Sequence, residues 1–259
     1  MIGNAVGYVL TEQAVEQDGA GWGRLARWSG AVAGSTLFAG AVLLLLDNLN
    51  ILAPSPVFHP SSAGPEADVA NWYAAFFARQ HHIVWDIAIR ESLGPVTMVA
   101  LVVLVLTAVR YLDRWTRPEV VLMVVVTTAG ALLAMLSNLV YLGEVGYWRH
   151  GGWSADPSLP MFVDGRVSQG AMFVATYLEA AGDVLLAVGI VLLGRMCRRS
   201  DRVPGWLPAV AYLEAAAILV YVVGNLVPSD TLLNVGGLAA GILLGPALLI
   251  GLGRALPVS

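Results

Sequence analysis

Apolar residues fill long stretches of this chain, and the polar positions gather in the gaps between them. Six runs are long enough to cross a bilayer, which takes about 20 residues at a helical rise of about 1.5 Å. They lie near 28–48, 83–109, 119–143, 167–194, 204–227 and 231–253. In hydrocarbon each segment must satisfy its own backbone, so each run is expected to be a helix. The pattern predicts an all-α polytopic membrane protein. Its transmembrane domain covers 28–254, with a polar segment over 1–27 and a short tail over 255–259.

The connections are unequal. After the first run, Pro54, Pro56, Pro60 and Pro65 mark an irregular loop. Val69, Trp72, Tyr73, Phe76 and Phe77 then recur at helical spacing. With Arg79, His81 and His82 behind them, they predict an interfacial helix inside an external stretch spanning 49–82. Tyr147, Trp148 and Trp153 after the third run suggest an aromatic belt at the same surface.

Arginines orient the bundle. Arg24, Arg27, Arg110, Arg114, Arg117, Arg195, Arg198, Arg199, Arg202 and Arg254 fall on one side, against Arg79, Arg149 and Arg166 on the other. Basic residues stay cytoplasmic, so both termini are expected inside.

The pattern also repeats. A shift of 88 residues pairs Glu91 with Glu179, Gly94 with Gly182, and Arg110 with Arg198. It also pairs Asp113-Arg114 with Asp201-Arg202. A shift of 90 aligns 39–49 with 129–139, including Asn48 with Asn138, and Asn225 stands at a comparable place in the fifth run. The spans then read as three hairpins in parallel repeat about an axis along the membrane normal, the third divergent.

Composition sharpens this picture. Of 259 residues, 58% are apolar and only 12% charged, where a soluble domain carries about 25% charged residues. A net charge of −4 argues against a nucleic-acid partner. Every basic residue is Arg, which points to a GC-rich coding bias and hence to a bacterial plasma membrane. Cys197 stands alone, so no internal disulfide and no CxxC motif exists. His81 and His82 are adjacent and project to different faces, so no metal site is expected of them. No cofactor motif occurs in a suitable context.

The candidate chemistry is the ionisable residues inside the apolar runs, each costing about 2.5–3.5 kcal/mol at depth. They are Asp86, Arg90 and Glu91 in the second run, Glu179 and Asp183 in the fourth, and Glu214 in the fifth. Asn138 and Asn225 join them near the outer ends, where helix capping is the plain alternative for Asn225. Asn138 suits a cross-helix hydrogen bond better. Asp86 and Arg90 have the spacing of an i,i+4 ion pair, and Glu179 and Asp183 share a face by the same spacing. If these faces converge, acids outnumber the single Arg, so some carboxyls hold protons or something cationic binds. The plain reading is that neutral carboxyls hydrogen-bond across helices and fix the bundle.

In the sixth run, Gly237, Gly241 and Gly245 are four apart, which allows close helix packing within the bundle or a homodimer seam. The segment Pro204, Trp206, Leu207 and the glycines of 236–253 resemble a broad bacterial group of six-helix membrane proteins catalogued only as a domain of unknown function. That resemblance implies a fold and a location and carries over no catalytic residues. Three functions stay open. The chain binds or moves a small hydrophobic or cationic molecule in an outward-facing cavity lined by intramembrane carboxylates. It is an intramembrane enzyme on a lipid or isoprenoid substrate, with Glu91 or Glu179 as general acid and Arg90 steadying an anion. Or it is a structural or assembly protein.

Overall fold

The structure, a computed structural model, describes residues 3–57, 60, 64–111, 117–149, 156, 158, 160–227 and 229–256. The helices are α1 (Gly3–Asn48), α2 (Pro65–His82), α3 (Val84–Tyr111), α4 (Pro118–Arg149), α5 (Pro160–Arg198), α6 (Leu207–Leu226), α7 (Asp230–Gly237) and α8 (Gly245–Ala255). A π-helical segment, Leu238–Leu244, joins α7 to α8 without a break. Six helical stretches are long and apolar enough to cross a membrane: Gly21–Asn48, α3, α4, Gly165–Arg198, α6 and Asp230–Ala255.

Several helices outrun the apolar stretches that announce them. The first span continues a helix that starts at Gly3, and α4 runs through Gly143 to Arg149. Apolarity marks the part that meets hydrocarbon, while the backbone hydrogen-bond ladder propagates into polar sequence. Asp113 and Arg114 of the repeated terminus, Trp153 of the aromatic belt and Pro228 lie outside the described residues.

The spans are arranged as a ring in chain order. Each packs on its neighbours in sequence, and α8 closes the circle against α1. Two close backbone crossings help hold the circle. A Cβ on Gly130 would lie 2.7 Å from the Gly182 carbonyl oxygen, and one on Gly30 would lie 2.6 Å from the Leu249 oxygen. Any larger residue there would force the helices apart. The Gly30–Gly253 contact brings α1 near Ala26 to the last turns of α8. At the opposite end Asn48 Nδ2 donates to Asn234 Oδ1 at 3.2 Å. The sixth span therefore ends at the level where the first begins.

Exposed apolar side chains such as Val99, Val125, Leu132, Val188 and Leu213 cover the outside of the ring. A soluble protein would hide such a surface; facing lipid, it needs no cover. The tightly packed core lies toward the α1–α8 closing end and includes Leu104, Met123, Leu193, Leu207 and Leu252. A second cluster forms at the other end, where α2 lays Phe77 against Ile83, Val84, Ile87, Val145 and Trp148. His81 Nδ1 lies 2.8 Å from the Trp148 carbonyl and fastens α2 to α4 there.

Two prolines interrupt the ladders of ring helices. Pro95 sits inside α3 and has no N–H to offer the Glu91 carbonyl four residues back. Pro246 does the same at the start of α8, and the backbone before it widens. The Gly245 N–H reaches Ala240 O, five residues back. Such a widening is the usual way a helix absorbs a misfit, and it commonly marks a functional site. The sequence predicted a helix over this run.

The glycines offered as a dimer seam are turned inward. Gly241 faces Ala41 of α1, and Gly245 faces Leu37 and the Glu214 carboxyl. The two copies of the predicted repeat also use their glycines differently. Gly182 meets the backbone of Gly130, whereas its counterpart Gly94 receives the Asn138 side chain.

Candidate functional site: a carboxylate-lined cavity inside the ring

A cavity of about 350 Å³ occupies the middle of the ring and takes side chains from all six spans. Its size sits at the small end of ligand pockets, which run from about 300 to 1,000 Å³. Of the residues singled out from sequence, Arg90, Glu91, Asn138, Glu179, Asp183, Glu214 and Asn225 all line it. Asp86 does not.

The polar groups divide into two tiers. The outer tier is a chain of alternating charge from α2, α1 and α3. The Arg79 guanidinium pairs with the Asp47 carboxylate and donates to the Ala53 carbonyl at 3.2 Å. Arg90 Nη1 lies 3.3 Å from Asp47 Oδ2, and Arg90 Nε lies 2.8 Å from Glu91 Oε1. Two guanidinium groups face two carboxylates, and the chain is neutral as a unit.

This corrects the expected Asp86–Arg90 pair. An i,i+4 pair on a helix surface is worth only about 0.3–0.5 kcal/mol. Arg90, well inside the bundle, gains more from two carboxylates in a medium of lower dielectric than water. Neither Asp47 nor Arg79 was singled out as a site residue. They are 32 residues apart across a Pro-rich loop, and no local spacing reports such a meeting.

The inner tier is Glu179 and Asp183 on α5 with Glu214 on α6. The i,i+4 spacing does put Glu179 and Asp183 on one face, and that face lines the cavity. Tyr221 Oη donates to Glu179 Oε1 at 3.2 Å. Among the described residues no Arg, Lys or His forms an ion pair with any of these three acids. Glu214 is only 4% exposed, and its Oε2 has no hydrogen-bond partner. Its Oε1 rests against Gly245, where the π segment returns to α-helix. A side chain on Gly245 would collide with it.

Hydroxyls complete the lining. Thr36 and Thr97 meet across α1 and α3 at 2.7 Å, and Tyr141 meets Thr176 across α4 and α5 at 3.3 Å. Tyr221 had a sequence signal that went unread. Glu214, Tyr221 and Asn225 are spaced by seven and four, which is one face of a helix. The threonines carried none, since Thr at depth usually bonds its own helix, as Thr97 also does to Leu93 O at 2.9 Å.

Asn138 departs from expectation. Its Nδ2 donates at 2.7 Å to Ala134 O in its own helix, so the cross-helix hydrogen bond is replaced by packing on the bare backbone of Gly94. Only a glycine leaves room for it.

Among the described residues, no three His, Cys, Asp or Glu side chains are gathered as metal ligands would be. The arrangement instead offers carboxyl and hydroxyl groups in a chamber with apolar walls from Leu37, Leu186, Ile190 and Leu248. No family model, no curated protein and no solved structure matches the chain, so the resemblance to the six-helix bacterial group rests on Pro204, Trp206, Leu207 and the late glycines alone.

Proposed function

We propose that the chain is a multi-pass protein of a bacterial plasma membrane, with both termini cytoplasmic, that binds a small organic cation in the cavity inside its ring. One observation carries this reading. Three acids, Glu179, Asp183 and Glu214, line a cavity without a cationic partner among the described residues, beside an outer tier whose charges are already matched. A bound cation would supply the missing charge where water is scarce and electrostatic attraction is strong. The apolar walls would take the hydrocarbon part of such a molecule.

The orientation rests on the arginines, and α2 is placed at the outer interface with Phe77 toward protein. The enzymatic alternative needs Arg90 free to steady an anion. Arg90 is engaged by both Glu91 and Asp47, which favours the binding protein.

The test compares choline with its uncharged carbon isostere, 3,3-dimethylbutan-1-ol, on purified protein in detergent. Choline is expected to raise the unfolding temperature, and the isostere to have little effect. Equal stabilisation by both would make the cavity an apolar pocket and remove the cation. Stabilisation by a polyprenyl or lipid substrate, with conversion seen by mass spectrometry, would replace the reading with the enzymatic one.

A further inference from the structure

A second concavity lies on the outside of the ring, at the end where the first span begins and α8 stops. It is a groove of about 460 Å³ lined by Trp206, Pro246, Ala247, Ile250 and Arg254, among others. It shares no lining residue with the central cavity. Gly251 forms part of its floor, where a Cβ would fall 3.1 Å from Cζ2 of Trp206, so the indole lies directly on the helix backbone. Trp206 remains 48% exposed all the same.

The polarity of the groove runs one way. Its apolar stretch, Pro246 to Ile250, lies toward the middle of the sixth span, and Arg254 stands one turn further on at the end of that span. From Pro246 to Arg254 is about 12 Å at helical rise, parallel to the way an acyl chain lies. Two arginines near this end are engaged elsewhere. Arg199 pairs with Glu119, and Arg202 donates to the Tyr111 carbonyl and sits over its ring. Arg254 is exposed and has no ion pair among the described residues. An indole at headgroup depth beside an unpaired guanidinium, above a narrow apolar channel, matches a lipid with a negative head.

We propose that this groove is a binding site for an anionic glycerophospholipid, its phosphate on Arg254, its glycerol against Trp206 and one acyl chain along Pro246–Ile250. The site does not depend on what the central cavity binds.

Native mass spectrometry of the full chain, released from detergent with phosphatidylglycerol or phosphatidylcholine of identical acyl chains, tests it. One bound phosphatidylglycerol is expected to be kept over phosphatidylcholine by about fivefold, the scale of one basic residue at a membrane surface. Arg254→Gln should erase that preference. Arg198→Gln, which removes an equal charge outside the groove, should leave it intact. Ala247→Phe, placed at an exposed position to fill the channel, should lower retention of both lipids. The proposal falls if Arg254→Gln keeps the parent's preference, or if Arg198→Gln erases it as fully. It falls equally if Ala247→Phe binds lipid like the parent, or if the parent holds a second copy of the chain that Ala247→Phe releases.

Discussion

The two tiers of the cavity are built from the same kinds of side chain and arrive at opposite conditions. In the outer tier Arg79, Asp47, Arg90 and Glu91 alternate in sign and tie α2, α1 and α3 together. In the inner tier Glu179, Asp183 and Glu214 meet hydroxyls and bare backbone and no cation among the described residues. The first arrangement is what a structural clasp needs, because every charge taken from water finds its opposite. The second is a poor clasp, since no cationic partner offsets the cost of taking these carboxyls out of water. Depth alone therefore does not tell a matched acid from an unmatched one; its partners do.

The largest test of that contrast is Asp47→Ala, which leaves Arg79 with the Ala53 carbonyl and Arg90 with Glu91 alone. Breaking one member of a buried ion network costs about 3–5 kcal/mol, and a large drop in unfolding temperature is expected in detergent. The double variant Asp47→Ala with Arg79→Ala should recover part of the loss. An unchanged melt would mean that the outer tier clasps nothing.

Inner-tier variants should behave in the opposite way. Glu214→Gln and Asp183→Asn are expected to fold with unchanged or raised stability, because each removes an uncompensated carboxylate. Their choline-dependent stabilisation should weaken about tenfold, equivalent to about 1.4 kcal/mol. A melt as damaged as that of Asp47→Ala, with choline binding retained, would make the inner acids structural and erase the contrast.

Smaller effects refine the same division. Tyr221→Phe removes one hydrogen bond to Glu179, a contribution of about 0.5–1.5 kcal/mol, and should weaken choline binding several-fold with little change in the melt. Isothermal titration can separate the two. The least effect is expected at the membrane surface. Arg199→Gln breaks a pair with Glu119 in which both side chains are over a third exposed, 42% and 38%. Screened pairs of that kind are worth about 0–1 kcal/mol, so a melt within about 1 kcal/mol of the parent is expected, at any salt concentration.

Much of the site was legible because a charge in an apolar run is conspicuous. Arg90, Glu91, Glu179, Asp183 and Glu214 stand out on hydropathy alone, and all five face the cavity. Asp86 stood out equally and does not line it. It lies a single turn from Arg90, and helical spacing shows which groups can meet without showing which competitor is better placed. The competitor, Asp47, comes from another helix. The repeat made Glu91 and Glu179 look equivalent as well, yet the first is held by Arg90 and the second by a tyrosine hydroxyl. Their surroundings differ because α3 packs beside α1 and α4 while α5 packs between α4 and α6.

By itself the sequence determined six helices long and apolar enough to cross a membrane, for a local reason. About 20 apolar residues in a row satisfy their own backbone and need no distant partner to do so. It also determined that acids would sit at depth. Tertiary structure alone decided that the helices close into a ring around a cavity, and that Gly30 and Gly130 are where backbones cross. It also decided that the turn before Pro246 widens beside Glu214, and that Arg79 reaches Asp47 to complete one tier, while the acids of the other have no cationic partner among the described residues. Those are contacts between segments far apart in the chain, where the partner and its distance matter and the spacing along the sequence is silent.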